Sequence, residues 1–218
     1  MAARAGRDEN RMDIGGEGHS AIILAGGRGA RMGAPKATVA FAGTPMLMRV
    51  IQRLADDFDE VIVVAAPEEL QPLGELSDRV SVLRDPIAYE GPVPALQRGL
   101  AAASSEIAFV CSCDLPLIDP DIAATICELV GESDAAIPEI RGELQPLHAA
   151  YRTVRCAEAL AAMMTIGEKR LCEIVNYIDA AIIPDEAFRD VDPDLRSFLN
   201  VNTPEDLARA LKLATREQ

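Results

Sequence analysis

The sequence predicts an α/β fold, a mostly parallel sheet covered on both faces by helices. Three observations carry this prediction. Apolar runs at residues 21–25, 61–65, 80–83 and 107–113 are short and largely unbroken by polar residues, as strands buried on both faces are. Stretches with apolar residues at helical spacing lie between them, so strand and helix alternate along the chain. Asp119-Pro120 and Thr203-Pro204 each place a capping side chain before a proline, a helix-start signal.

In chain order, residues 1–19 mix Arg, Asp, Glu and Gly without periodicity and read as a mobile N-terminal tail. Residues 20–218 read as a single domain, since no linker or internal repeat divides them. Ala21 to Ala25 is the first strand, and a glycine-rich loop follows it. Thr44-Pro45 reads as a cap and first turn, with Met46, Leu47, Val50, Ile51 and Leu54 on one helical face. Val61 to Ala65 and Val80 to Leu83 are the second and third strands. Residues 94–103 read as a helix, and Ile107 to Cys113 as a fourth strand ending at Asp114. Asp119-Pro120 opens a further helix. Short strands are expected at 135–137, 147–151 and 178–183. Helices are expected near 154–164 and 168–176, and from Thr203 to about Ala214.

Composition narrows the function. The 218 residues are 49% hydrophobic and 26% charged, which excludes a disordered chain. No apolar run approaches the ~18 residues of a membrane span. Lys and Arg number 21 against 35 Asp and Glu, a net charge of −14, which argues against a nucleic-acid surface. Any phosphate site must therefore be local. The first twenty residues lack the apolar core of a signal peptide. The five cysteines are odd in number and not spaced as a disulfide framework, so reduced thiols and a cytoplasmic location are expected. Cys111-Ser-Cys113 lacks the spacing of a zinc site and reads as two buried strand thiols.

The segment from Leu24 to Lys36 carries glycines at 26, 27, 29 and 33 together with Arg31 and Lys36. Glycines let the backbone turn sharply and present successive N–H groups to an anion. The segment is thus a candidate phosphate loop, set against a plain surface loop with incidental cations. It is not the dinucleotide fingerprint, because Met32 stands where the third glycine belongs. Nor is it a P-loop, because Lys36 lies between Pro35 and Ala37.

In parallel sheets ligands bind at the carboxyl ends of the strands. The glycine loop, Asp85 and Asp114 each follow a strand directly and should share that edge. A carboxylate such as Asp114 beside a phosphate loop suits Mg²⁺, which takes one or two carboxylates plus phosphate oxygens and water. A turn or helix-cap aspartate is the structural alternative. Asp85 reads as a ligand to a base or ribose, or as a turn residue. His148, in an expected strand, reads as a packed or hydrogen-bonded histidine.

Taken together, Leu-Ala-Gly-Gly-x-x-x-Arg-Met-Gly from Leu24, then Lys36, Cys113-Asp114-Leu115-Pro116 and Asn200-Val201-Asn202-Thr203-Pro204-Glu205 resemble the molybdenum cofactor guanylyltransferases. Gln145-Pro146-Leu147 and Gly167-Glu168-Lys169-Arg170 also match family stretches, and the resemblance spans residues 20–214. It implies a Rossmann-like three-layer sandwich of the nucleotide-diphospho-sugar transferase type, with Mg²⁺ as cofactor. It further implies GTP as donor, molybdopterin carrying molybdenum as acceptor, and molybdoenzyme maturation proteins as a further class of partner.

By the same resemblance Leu24, Ala25, Gly26 and Gly27 would contact the nucleotide, and Arg31 and Lys36 would hold its phosphates. Asp85 would bind the guanosine part and Asp114 the metal. Lys169, Arg170, Asn200 and Asn202 would lie near the pterin or the reacting groups. Three positions depart from the family: Val64-Ala65 ends the second strand where a polar residue is usual, Ala95 replaces a glycine, and Pro35 replaces an acidic residue before the lysine. They touch base and acceptor recognition more than phosphate chemistry. The competing readings are cytidylyl transfer to molybdopterin, transfer to a sugar phosphate, and a nucleotide-binding module without turnover.

Overall fold

Alternate residues of the central strand β1 (Ser20–Leu24) feed two different cores. Ala21 and Ile23 point to one face of the sheet, Ile22 and Leu24 to the other, and all four are buried. This follows from the two-residue repeat of a strand. It explains why the run had no polar alternation, since neither face meets water. The computed structural model describes residues 18–26, 32–66, 76–86 and 90–215. The tail reading for residues 1–17 therefore lies outside the described residues. So do the loop residues Gly27 and Arg31.

The remaining strands are β2 (Ala40–Phe41), β3 (Thr44–Pro45), β4 (Glu60–Ala65), β5 (Val80–Arg84), β6 (Ile107–Ser112), β7 (Ala135–Ile140), β8 (Glu143–Leu144), β9 (His148–Arg152) and β10 (Ala180–Pro184). The helices are α1 (Met46–Leu54), α2 (Pro92–Ala102), α3 (Pro120–Glu128), α4 (Thr153–Thr165) and α5 (Pro204–Ala214). Among the described residues the main sheet runs β10-β7-β9-β6-β1-β4-β5, with β8 paired to β7. β4, β1, β6 and β5 are mutually parallel, and β10 is parallel to β7. β9 runs antiparallel between β6 and β7. The chain moves outward from β1 to β4 and β5, then crosses to β6 on the other side of β1. Such a reversal of strand order opens a crevice at the carboxyl ends of the strands.

α1 and α3 cover one face through Leu47, Val50, Leu54, Ile122 and Ile126. α2 and α4 cover the other through Leu96, Leu100, Cys156 and Leu160. Each such leucine or isoleucine contributes about 1.5–3 kcal/mol by leaving water. α2 lies close to the sheet because residue 99 is glycine: a Cβ there would sit 2.7 Å from Ile22 Cγ2 and 3.2 Å from Val64 Cγ2. A third cluster, Phe41, Met46, Leu117, Val201 and Ala210, seats α5 against the rest.

Several boundaries differ from expectation. Thr44 does not cap α1. It pairs with Phe41 in a small antiparallel ribbon, and the N-cap is Pro45, with no side-chain hydrogen bond. The stretch near 168–176 is a 3₁₀ turn over Leu171–Asn176 rather than an α-helix. α2 begins two residues early at Pro92, because Gly91 adopts φ 103° and lets the chain enter the helix there. The caps on α3 and α5 are as expected. Asp119 accepts from Asp121 N–H, and Thr203 and Asp206 form a reciprocal capping box.

Candidate active site

The carboxyl ends of β1, β4, β5 and β6 open into a cleft of about 520 Å³. Leu24 at the end of β1 with Gly26 beyond it, Asp85 after β5, and Ser112 at the end of β6 with Asp114 beyond it line the cleft. The backbone carries the register past the strand ends. Ala25 N–H donates to Val64 O at 2.8 Å, Cys113 N–H to Leu24 O at 3.1 Å, and Asp85 N–H to Ala65 O at 2.8 Å. Residues that follow a strand are therefore held as firmly as those within it. β9 runs the opposite way, so its first residue, His148, comes to this same edge opposite Cys111.

Lys36 follows Pro35 in a short 3₁₀ turn, and its ammonium lies 2.6 Å from Asp114 Oδ2. It also donates to the side-chain oxygen of Asn202. Ser112 Oγ donates to the other oxygen of Asp114, Oδ1. Ser112 and Asp114 are two residues apart at the end of β6. Asn202 arrives from the segment before α5, tied by Val201 N–H to Asp114 O at 2.8 Å. Asp206 Oδ2 accepts from the backbone N–H of Asn202 and Thr203, at 3.0 and 2.9 Å. The capping box of α5 thus fixes the loop that carries Asn202.

On another wall Asp85 meets Arg98 of α2, with Nε 2.6 Å from Oδ1. Asp85 is 8% exposed. Ala66, Gly91 and Ala95 line the cleft nearby. The strand-end position of β4 that faces the cleft is thus Ala66, whereas Val64 is packed in the core beneath α2.

The candidate residues fall into four groups. Leu24, Gly26, Lys36, Asp85, Asp114, Asn200 and Asn202 line one cleft. Ala25 is buried behind it, 1% exposed. Lys169 and Arg170 do not line it. Their backbone N–H groups both donate to Glu168 Oε1, and Arg170 pairs with Glu173 at 2.7 Å. Gly27 and Arg31 lie outside the described residues. Ser112 and Arg98 were not singled out from the sequence. The two-residue spacing of Ser112 and Asp114 at a strand end was a usable signal. Nothing local marked Arg98 as the partner of Asp85.

His148 is buried. Its ring stacks on Phe198 at 4.2 Å and meets the edge of Phe109 at 5.3 Å. Ser197 Oγ lies 3.4 Å from its Nε2. Burial lowers its pKa to about 3, so the ring is neutral near pH 7. Cys111 and Cys113 are buried beside the cleft. Burial first, and then the charges of Cys113 and Asp114, push the Cys111 thiol up, so it stays protonated.

Among the described residues no cluster of three or more His, Cys, Asp or Glu could hold a metal by itself. The oxygen donors described around Asp114 are its carboxylate, the Ser112 hydroxyl on it, and the Asn202 amide oxygen, which shares the Lys36 ammonium with the carboxylate. That set fits a hard divalent cation completed by phosphate oxygens and water, and does not fit a soft metal. Among the described residues no helix is long and apolar enough to cross a membrane.

Comparisons with known proteins agree with this geometry. The family profile of the MobA-like NTP transferase domain matches residues 21–181. A probable molybdenum cofactor guanylyltransferase of Methanosarcina mazei is 35% identical over 196 residues, 86% of this chain and 88% of the relative. One of Mycobacterium avium is 36% identical over 199 residues, 88% of this chain and 94% of the relative. The molybdopterin-guanine dinucleotide biosynthesis protein A of Archaeoglobus fulgidus superposes with a TM-score of 0.76 at 25% identity, covering 90% of this chain and 99% of that one. A 2-C-methyl-D-erythritol 4-phosphate cytidylyltransferase of Thermus thermophilus shares the fold, with a TM-score of 0.67 at 22% identity, over 91% of this chain and 99% of that one.

Proposed function

The chain belongs to the MobA-like NTP transferase family and is a nucleotidyltransferase, and from that premise we propose that it transfers GMP from GTP to molybdenum-carrying molybdopterin. The products are the guanine dinucleotide form of the cofactor and pyrophosphate. The observation that carries this reading is the Lys36–Asp114–Asn202 cluster, set at the strand ends of a cleft that also holds Asp85.

A phosphate oxygen of the acceptor attacks the α-phosphorus of GTP, a new P–O bond forms, and the bond to the leaving pyrophosphate breaks. A phosphate monoester is largely ionised near neutral pH, so the attack needs no strong general base. That suits a site whose one lining histidine among the described residues is buried and neutral. The work left to the protein is positioning and charge stabilisation. Lys36 places an ammonium where the phosphates lie. Gly26 lets the chain run close to them, and Arg31 is assigned to the same task. Asp114 holds the divalent cation, which we take to be Mg²⁺ and which neutralises charge on the phosphates when bound. Asp85 takes the nucleoside end. Asn200 and Asn202 lie toward the acceptor, and Lys169 and Arg170 are assigned to its approach.

Pyrophosphate release tests the reading, measured with each of the four nucleoside triphosphates and Mg²⁺, with and without molybdenum-loaded molybdopterin. Release with GTP alone, and only with the pterin present, is the expected result. Release with CTP instead would move the base assignment. No release with any nucleotide would sink the proposal.

A further inference from the structure

Asp85 and Arg98 form a contact whose geometry is uneven. Arg98 Nε donates to Asp85 Oδ1 at 2.6 Å, while Nη2 lies 2.5 Å from the same oxygen as an ion-pair contact and has no hydrogen-bond partner of its own among the described residues. Neither of these contacts reaches Oδ2, so the guanidinium grips the carboxylate by one oxygen instead of both. The same Nη2 lies 3.6 Å from Glu90 Oε2. Asp85 and Glu90 line the cleft, whereas Arg98 does not. One cation thus stands behind two carboxylates on the cleft wall. Among the described residues, those lining the cleft just after β4 and on α2 are Ala66, Pro92 and Ala95, which offer no polar side chain.

Two consequences follow from elementary electrostatics. A wall carrying two uncompensated carboxylates would repel a nucleoside triphosphate, and Arg98 offsets one of those charges. The charge-assisted hydrogen bond from Arg98 to one oxygen also holds the Asp85 carboxylate in one rotamer. With Oδ1 held, Oδ2 remains as an acceptor. Ionised phosphates offer it no hydrogen, but the N–H groups of a base and the hydroxyls of a ribose do.

We infer that Arg98 is a positioning residue for nucleoside recognition, clamping Asp85 through Oδ1 so that Oδ2 accepts an N–H or O–H of the bound nucleoside. The inference rests on the nucleotide-side reading of Asp85. It gives this chain a contact made by α2 and the end of β5 together, at the side of the cleft that Ala66 lines just after β4.

The test is a double-mutant cycle read by calorimetric titration of the full chain with Mg²⁺. Wild type is first titrated with each of the four nucleoside triphosphates, and the tightest is used for Arg98→Ala, Asp85→Asn, the double variant and Arg98→Lys. Arg98→Ala should weaken binding about tenfold, the scale of a hydrogen bond to a charged group. The double variant should be no weaker than Asp85→Asn alone. Arg98→Lys keeps the charge without the fixed Nε donor of the guanidinium plane, and should fall between wild type and Arg98→Ala. In turnover, the change should appear in KM, with kcat within about twofold. Binding by Arg98→Ala within about twofold of wild type would overturn the inference. So would single effects that multiply in the double variant. Should Arg98→Ala not fold, Arg98→Lys and the double variant still carry the comparison. Wild-type preference for a nucleotide other than GTP would overturn the guanine reading alone, since the cycle runs with that nucleotide. Wild type that binds none of the four would overturn both.

Discussion

The ammonium of Lys36 sits 2.6 Å from Asp114 Oδ2, although 78 residues separate the two along the chain. Their side chains are 21% and 10% exposed, so the pair is partly shielded from water yet open to the cleft. Lys36 and Asp114 satisfy each other across the cleft wall. On our reading the lysine would hold the phosphates of a bound triphosphate, and the carboxylate would hold a divalent cation.

Asp114→Asn keeps the shape and removes the charge. We expect turnover to fall at least ~10²-fold, the scale of losing a principal electrostatic stabiliser. Added Mg²⁺ should not restore it. Near-normal pyrophosphate release by this variant would refute the metal role.

Lys36→Met removes the ammonium while keeping a similar apolar stem. We expect kcat/KM for GTP to drop by at least ~10². Lys36→Arg should rescue little, because a planar guanidinium is a poor replacement for a compact charge held between Asp114 and Asn202. Full activity of the arginine variant in steady-state assays would show that charge alone suffices there.

Gly99→Ala tests the packing that sets the cleft wall. The new methyl meets Ile22 Cγ2 at 2.7 Å, against β1 itself. We expect a loss of about 1–3 kcal/mol in urea unfolding with an unchanged slope, the usual cost of overpacking. A variant as stable as wild type would mean that α2 shifts freely on the sheet.

His148 gives the fold a pH limb. Its pKa is lowered from 6.5 to about 3 by burial, so between those values the unfolded chain binds a proton that the folded chain does not. Stability is therefore full above about 6.5 and declines as pH falls toward about 3. His148→Phe keeps an aromatic ring between Phe109 and Phe198 and should flatten that decline in denaturant titrations. An unchanged slope in this window would place the acid sensitivity elsewhere.

Much of the fold could be read from local pattern. Strands buried on both faces leave unbroken apolar runs, so β1, β4 and β6 lay within a residue or two of expectation. Side-chain caps announced α3 and α5, where Asp119 and Thr203 act on N–H groups two or three residues away. Thr44 shows the limit of that reasoning: the same residue pattern there pairs as a strand, because the partner at Phe41 competes for it. The Leu171–Asn176 segment is a 3₁₀ turn where apolar spacing predicts an α-helix, since spacing alone does not separate the two over so few residues.

Local residue pattern is enough to specify the strand–helix alternation and to put Gly26, Asp85 and Asp114 just after strands. A residue that follows a parallel strand must emerge at the carboxyl edge of the sheet, and this is decided within a few residues. The tertiary structure alone decided the pairings: Lys36 with Asp114 and Asn202, and Arg98 with Asp85. It also decided that Ala66 faces the cleft while Lys169 and Arg170 do not line it. Those outcomes depend on strand order and on how closely α2 and α5 approach the sheet. Both are set by contacts between residues far apart in the chain, such as Gly99 against Ile22 and Val201 against Asp114. Local pattern carries no information about such contacts, because they are made by the assembled cores and not by any one segment.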